Sequence, residues 1–115
     1  MKIEELENAP QWLLDAETHY ADVDIVNGIV HWYGGVWEDG VWQDGIWENG
    51  VWHNGTWRDG TWHGGTWHDG VWKNGFWQGG TWQDGIWENG VWQGGDWEGG
   101  YRNKLVPSDT PPHNN

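Results

Sequence analysis

Tryptophan recurs at every fifth residue from 32 to 97, fourteen times without interruption, in a chain of 115 residues. A fixed short period means that one small unit is repeated and that each copy buries its large side chain against neighbouring copies. From Val36 to Gly100 each unit reads apolar residue or Thr (Asp96 in the divergent last unit), then Trp, then a polar residue, then Asp, Asn or Gly, and finally Gly. The third position holds Glu38, Gln43, Glu48, His53, Arg58, His63, His68, Lys73 and similar residues, which must face water. In an extended segment alternate residues point to opposite sides, so Trp faces inward and the first and third residues face out. The Asp-Gly and Asn-Gly pairs make the corners.

Two architectures can use this unit. An antiparallel meander is suggested by Trp47-Glu48-Asn49-Gly50-Val51-Trp52, because Asn-Gly is a strong hairpin signal. Parity rules it out. With two-residue turns, the first and last residues of a three-residue strand would have to direct their backbone groups to opposite neighbours, whereas alternation directs them the same way. A parallel solenoid pairs every unit with those one coil above and below and has no such conflict. A triangle of five-residue sides encloses less than half the area of a square, yet must hold three quarters as many Trp per layer. This favours a square coil of about 20 residues. The decapeptide Gln43–Trp52 recurs at Gln83–Trp92, eight units further on, which suits two square coils. The expected fold is therefore all-β, a parallel solenoid of five-residue repeats with inward Trp stacks.

In period and pattern, residues 31–100 resemble the pentapeptide-repeat proteins. That family's unit carries a large apolar residue at the centre and a small one two positions earlier, places held here by pairs such as Trp52 and Gly50. Trp with Gly fills about the volume of the family's Phe with Ala, an exchange that cores tolerate. The family's Ala-Asp/Asn-Leu signature is missing from the array. The resemblance implies a right-handed quadrilateral β-helix, and a structural, interaction or DNA-mimicking role. The Trp-x-x-Gly pattern also resembles membrane-occupation and choline-binding repeats, whose longer periods match less well.

Residues 1–30 read as an N-terminal cap, 31–100 as the solenoid and 101–115 as a disordered C-terminal tail. Within the cap, Asn8 to Ala16 has the pattern of a short helix with Asn8 near its N-cap and Pro10 in its first turn. Ala21–Val26 and Ile29–Tyr33 read as strands joined at Asn27-Gly28. The cap is expected to seal the first Trp layer and blunt its open strand edge.

The chain has no Cys, which removes disulfides and thiolate chemistry. Its formal net charge of −13 opposes binding to phosphate backbones, so no direct nucleic-acid contact is expected. No apolar run approaches the roughly 20 residues of a membrane span. The acidic start, Met1-Lys2-Ile3-Glu4-Glu5, does not resemble a signal peptide, so a cytoplasmic or virion location is expected.

His53, His63 and His68 are the clustered candidates for metal or acid–base work. On a square coil they fall on three different sides, whereas a triangle would stack His53 on His68. Asp39 with Asp59 would stack at one corner of a square and offer a weak cation site. Solvated outer residues and Asp side chains bonding their own turns explain both sets. Ser108 is the only Ser and lies in the tail, and no nucleophile, base and orienting group can be assembled from it and the array's four Thr. No catalytic, cofactor-binding or metal residue is assigned, no cofactor is implied and an enzyme is not expected. The expected role is a structural or protein-interaction module of about 3.5 coils, of the kind found among phage or bacterial accessory proteins. Its protein partner is unknown, and an end-to-end or C-terminal homodimer fits its open end. The alternatives are an acidic DNA mimic that inhibits a DNA-handling enzyme, and a carbohydrate binder with exposed Trp platforms.

Overall fold

A computed structural model describes residues 1–102, 106–107 and 111–112. The array is an all-β parallel solenoid of about five turns with almost no helix around it. Each unit supplies a strand of two residues, from Val41–Trp42 to Asp96–Trp97. The third residue already belongs to the corner, so the strands are one residue shorter than alternation alone suggests.

Register sets the coil at three units. Trp32 pairs with Trp47, Trp47 with Trp62, Trp62 with Trp77 and Trp77 with Trp92 on the first face. Trp37, Trp52, Trp67, Trp82 and Trp97 run up the second face. Trp42, Trp57, Trp72 and Trp87 run up the third. The cross-section is thus a triangle. The expected square of four units per coil is corrected, and the same array makes more coils than the square would allow. The decapeptide recurrence, eight units apart, is no multiple of the three-unit coil and places its two copies on different faces.

The packing of the indoles explains why three sides win. Along a face, successive rings lie parallel, with centroids 4.7 to 5.0 Å apart. Around a coil, neighbouring rings meet edge to face, for example at 5.8 Å and 75° between Trp57 and Trp62. Rings related by a threefold axis and crossing at such angles tilt roughly 45° from it, which narrows a 4.8 Å repeat to about 3.5 Å between ring planes, van der Waals contact. The eleven Trp from Trp32 to Trp82 have no exposed surface. A square of equal side would more than double the enclosed area while adding one indole per layer. It would leave a void and lose these contacts. Enclosed area alone favours the square, but three tilted indoles already fill the triangle.

Two further hydrogen-bond series reinforce the stacks. The amide of each third residue donates to the Trp carbonyl one coil earlier, as His53 does to Trp37 at 2.8 Å. The amide of each first residue donates to the preceding coil's corner Gly, as Thr66 does to Gly50 at 3.0 Å. That second bond requires the corner backbones to approach closely. At Gly65, with φ +109°, a Cβ would run into the Gly50 carbonyl oxygen.

The chain enters this solenoid through a hairpin. Strand β1 (Glu17–Val26) pairs antiparallel with β2 (Ile29–Asp39), and Asn27 and Gly28 between them take φ of 53° and 77°. Both turn residues are left-handed, as a type I′ turn demands. Strand β2 then bends round a corner at Gly35 and supplies the base of two faces. A short helix, α1 (Gln11–Asp15), has Pro10 at its N-cap. Asn8 lies before it in a left-handed turn with φ 58°, so the expected cap residue shifts by two. At the other end Tyr101–Arg102 pairs in parallel with Ile86–Trp87 and antiparallel with Val106–Pro107. Apart from Pro111 and Pro112, the rest of the tail expected to be disordered lies outside the described residues.

Adjacent glycines should respond oppositely to a methyl group. Gly64 has no positive φ, and a Cβ there would meet only the Glu48 carbonyl oxygen at 3.7 Å. Gly64→Ala should change stability by less than about 1 kcal/mol, whereas Gly65→Ala should cost about 2–3 kcal/mol or more. Urea midpoints of the two variants measure the difference.

Candidate functional site

The three-unit coil sorts the outer residues into columns, so each face has its own chemistry. Between Ile46 and Gly95 the first face carries one formally charged residue, Glu48, together with His63, Gln78 and Gln93. Its fourth-position residues are Gly34, Asn49, Gly64, Gly79 and Gly94, forming a rib of paired glycines along one corner. The second face collects Glu38, Asp39, Asp69, Asp84, Asp96 and Glu98 without a Lys or Arg. The third takes both basic residues of the array, Arg58 and Lys73, with Asp44, Asp59 and Glu88. The Lys73 ammonium lies 3.8 Å from the Glu88 carboxylate.

Two of the three histidines come together. His53 and His68 stack on the second face with centroids 4.7 Å apart and planes at 8°. His63 is on the first face, above Glu48 in the register. The structure therefore corrects the square-coil placement of the three on separate sides. One coil below His53, Glu38 lies 3.9 Å from the His19 ring of β1. Among the described residues no three His, Asp or Glu side chains converge as a metal site would require.

The corner carboxylates are committed to their own turns. Oδ1 of Asp39, Asp44, Asp59, Asp69 and Asp84 accepts the following Gly amide at 2.8 Å in each case. The register puts Asp59 over Asp44, so the expected Asp39–Asp59 stack does not form. Asp39 instead shares a corner with Asn54, Asp69 and Asp84. The array indoles offer no platform to a sugar ring, since all but Trp97 of the fourteen are buried.

The ends differ in construction. At the N-terminal end Leu13 is fully buried, and Trp12 lies 5.1 Å from Trp42 and 6.4 Å from Trp37 between ring centroids. These contacts roof the first layer. Beside the roof is a groove of about 710 Å³ lined by Pro10, Trp12, Ile25, Ile29, Val30, Ile46 and the acids Glu7 and Asp44. Sequence reading missed this groove because it forms between segments distant in the chain. At the other end burial falls away from Trp87 (3 % exposed) and Trp92 (5 %) to the half-buried Trp97.

No family model, no curated protein and no solved structure matches this chain. No helix among the described residues is long and apolar enough to cross a membrane.

Removing the roof should be costly. Trp12→Ala strips the ring that covers Trp37 and Trp42 and should destabilise the protein by on the order of 3 kcal/mol. The first layer then meets water, and size-exclusion chromatography should show a concentration-dependent shift to species larger than any the wild type forms.

Proposed function

We propose that the protein is a non-enzymatic structural or protein-interaction module, a stiff acidic rod of the kind used as a spacer or assembly element by phage or bacterial accessory proteins. The observation that carries this reading is the continuous indole core from Trp32 to Trp97, closed at the start by a purpose-built roof. A core of edge-to-face and stacked rings in van der Waals contact leaves little slack with which to bend or to open a pocket. Kinship with the pentapeptide-repeat proteins is part of the proposal. The five-residue unit and the parallel ladder favour it, while three sides in place of the four implied by the resemblance count against a close relation. A cytoplasmic or virion location, and a homodimer through the end carrying Trp97, belong to the same proposal.

The test is to change length in whole coils. Tandem duplication of residues 56–70 keeps every column in register and should lengthen the particle by about 5 Å at constant cross-section, as read by small-angle scattering. Thermal unfolding should remain a single transition at an equal or higher midpoint. A longer but flexible particle, or one that melts in two steps, would remove the basis for a rod.

The DNA-mimic reading is favoured only by the second face, where six carboxylates and no Lys or Arg form one acidic stripe. If that stripe binds a basic DNA-handling enzyme, affinity should fall steeply with salt and drop at least tenfold when Asp39, Asp69, Asp84 and Glu98 are replaced by Asn or Gln. Binding indifferent to those replacements rejects mimicry.

A further inference from the structure

We infer that the tryptophan core conducts electron holes along the solenoid axis, carrying a one-electron oxidation from one end of the protein to the other. All 15 Trp of the chain belong to one contact network. Rings within a column are 4.7 to 5.0 Å apart between centroids, and those in neighbouring columns 5.7 to 6.0 Å. Indole is the most easily oxidised ring in this core, and hole transfer between equivalent rings in van der Waals contact has almost no driving-force penalty. Three parallel columns joined edge to face also mean that one poor contact does not break the path.

What ordinarily stops such a hole is loss of a proton. A one-electron-oxidised indole is a far stronger acid at Nε1 than the neutral ring and loses that proton readily to water at pH 7. Once it becomes the neutral radical, the proton must return before the hole can move. From Trp32 to Trp82 the proton has no base to receive it. Nε1 of Trp32, Trp37, Trp42, Trp47, Trp52, Trp57, Trp72, Trp77 and Trp82 is buried without a hydrogen-bond partner. Trp62 and Trp67 donate to the carbonyls of Gly79 and Asp84 at 3.1 Å, and a backbone carbonyl is too weak a base to take the proton. Burial that keeps Nε1 from water and from any side-chain base keeps an oxidised ring in its cationic, mobile form.

The steps balance with a one-electron oxidant such as a ruthenium(III) polypyridyl complex. Ruthenium(III) takes one electron from Trp12 and becomes ruthenium(II), leaving the Trp12 radical cation. Each hop returns one electron to the oxidised ring and removes one from the next. At the far end the half-buried Trp97, or the 43 % exposed Tyr101 on the strand over Ile86, gives up the electron with a proton to water. The hole is then trapped as a neutral indolyl or phenoxyl radical.

The chain has no Cys, so Glu4→Cys at the exposed N-terminal end provides one attachment point for a ruthenium(II) photosensitiser, with chloropentaamminecobalt(III), which takes one electron and releases no oxidising radical, as the electron acceptor. After a flash at pH 7, the transient spectrum should be that of the indole radical cation, living at least tenfold longer than the cation of free N-acetyltryptophanamide. Mass spectrometry should then find oxidation at Trp97 and Tyr101. Replacing the layer Trp62, Trp67 and Trp72 by Phe, which is not oxidised under these conditions, should lower far-end oxidation at least tenfold and confine damage to Trp12–Trp57. Prompt appearance of the neutral radical in the unsubstituted core, or far-end oxidation unchanged by the Phe layer, overturns the inference. Should the Phe-layer protein fail to fold, the transient spectrum of the intact core decides alone.

Discussion

Strands in a sheet repeat at about 4.8 Å, whereas aromatic faces touch at about 3.5 Å, and every other feature of this fold accommodates that mismatch. Upright stacking in register would leave a gap between rings in each layer. The rings tilt instead, and the tilt turns their edges toward the faces of rings on the neighbouring sides. One adjustment satisfies both the axial stacks and the lateral contacts, and it works with three sides because three indoles then fill the layer. The identity of the core residue thereby selects the polygon. A smaller or rounder side chain would have no reason to tilt and no means of filling the same triangle.

Glycine at the fifth position is the counterpart of that core. The corner has to bring backbone against backbone, so that the Thr66 amide reaches the Gly50 carbonyl while the indole lies just beneath. A side chain at Gly65 would obstruct that contact and force a disfavoured φ. The fourth position has no such restriction, which is why Asp, Asn and Gly alternate there. Where Asp occupies it, the carboxylate bonds the next amide and turns inward on its own corner.

Much of this was legible in the residues. The direction of Trp, the parallel ladder and the hairpin turn at Asn27-Gly28 follow from alternation, parity and left-handed turn chemistry. The number of sides was not, because an area comparison does not contain ring tilt. Columns nevertheless left traces. Apart from Gly99 in the divergent last unit, the fourth-position glycines, at 34, 64, 79 and 94, are separated by whole multiples of three units, and so are Arg58 and Lys73, and His53 and His68. The Gln43–Trp52 decapeptide, recurring at a shift of eight units, points the other way because it repeats unit types rather than outer faces. The roof and the groove beside it were out of reach for another reason: they depend on how the hairpin folds Trp12 back over a layer formed much later in the chain, by Trp37 and Trp42.

The separation between a five-residue unit and a turn of three units has a consequence for how such a gene can change. Unequal recombination within the repeats adds or removes whole units, and the indole core accepts any number of them. Every residue beyond the crossover, however, rotates by one face for each unit gained. Losing one unit would move the stacked His53–His68 column, the acidic stripe and the glycine rib onto new neighbours, while leaving the interior intact. Only changes in threes transmit the surface unaltered. Length can therefore drift freely under selection for stability alone, and a surface that is maintained as a pattern restricts the lineage to steps of one full turn.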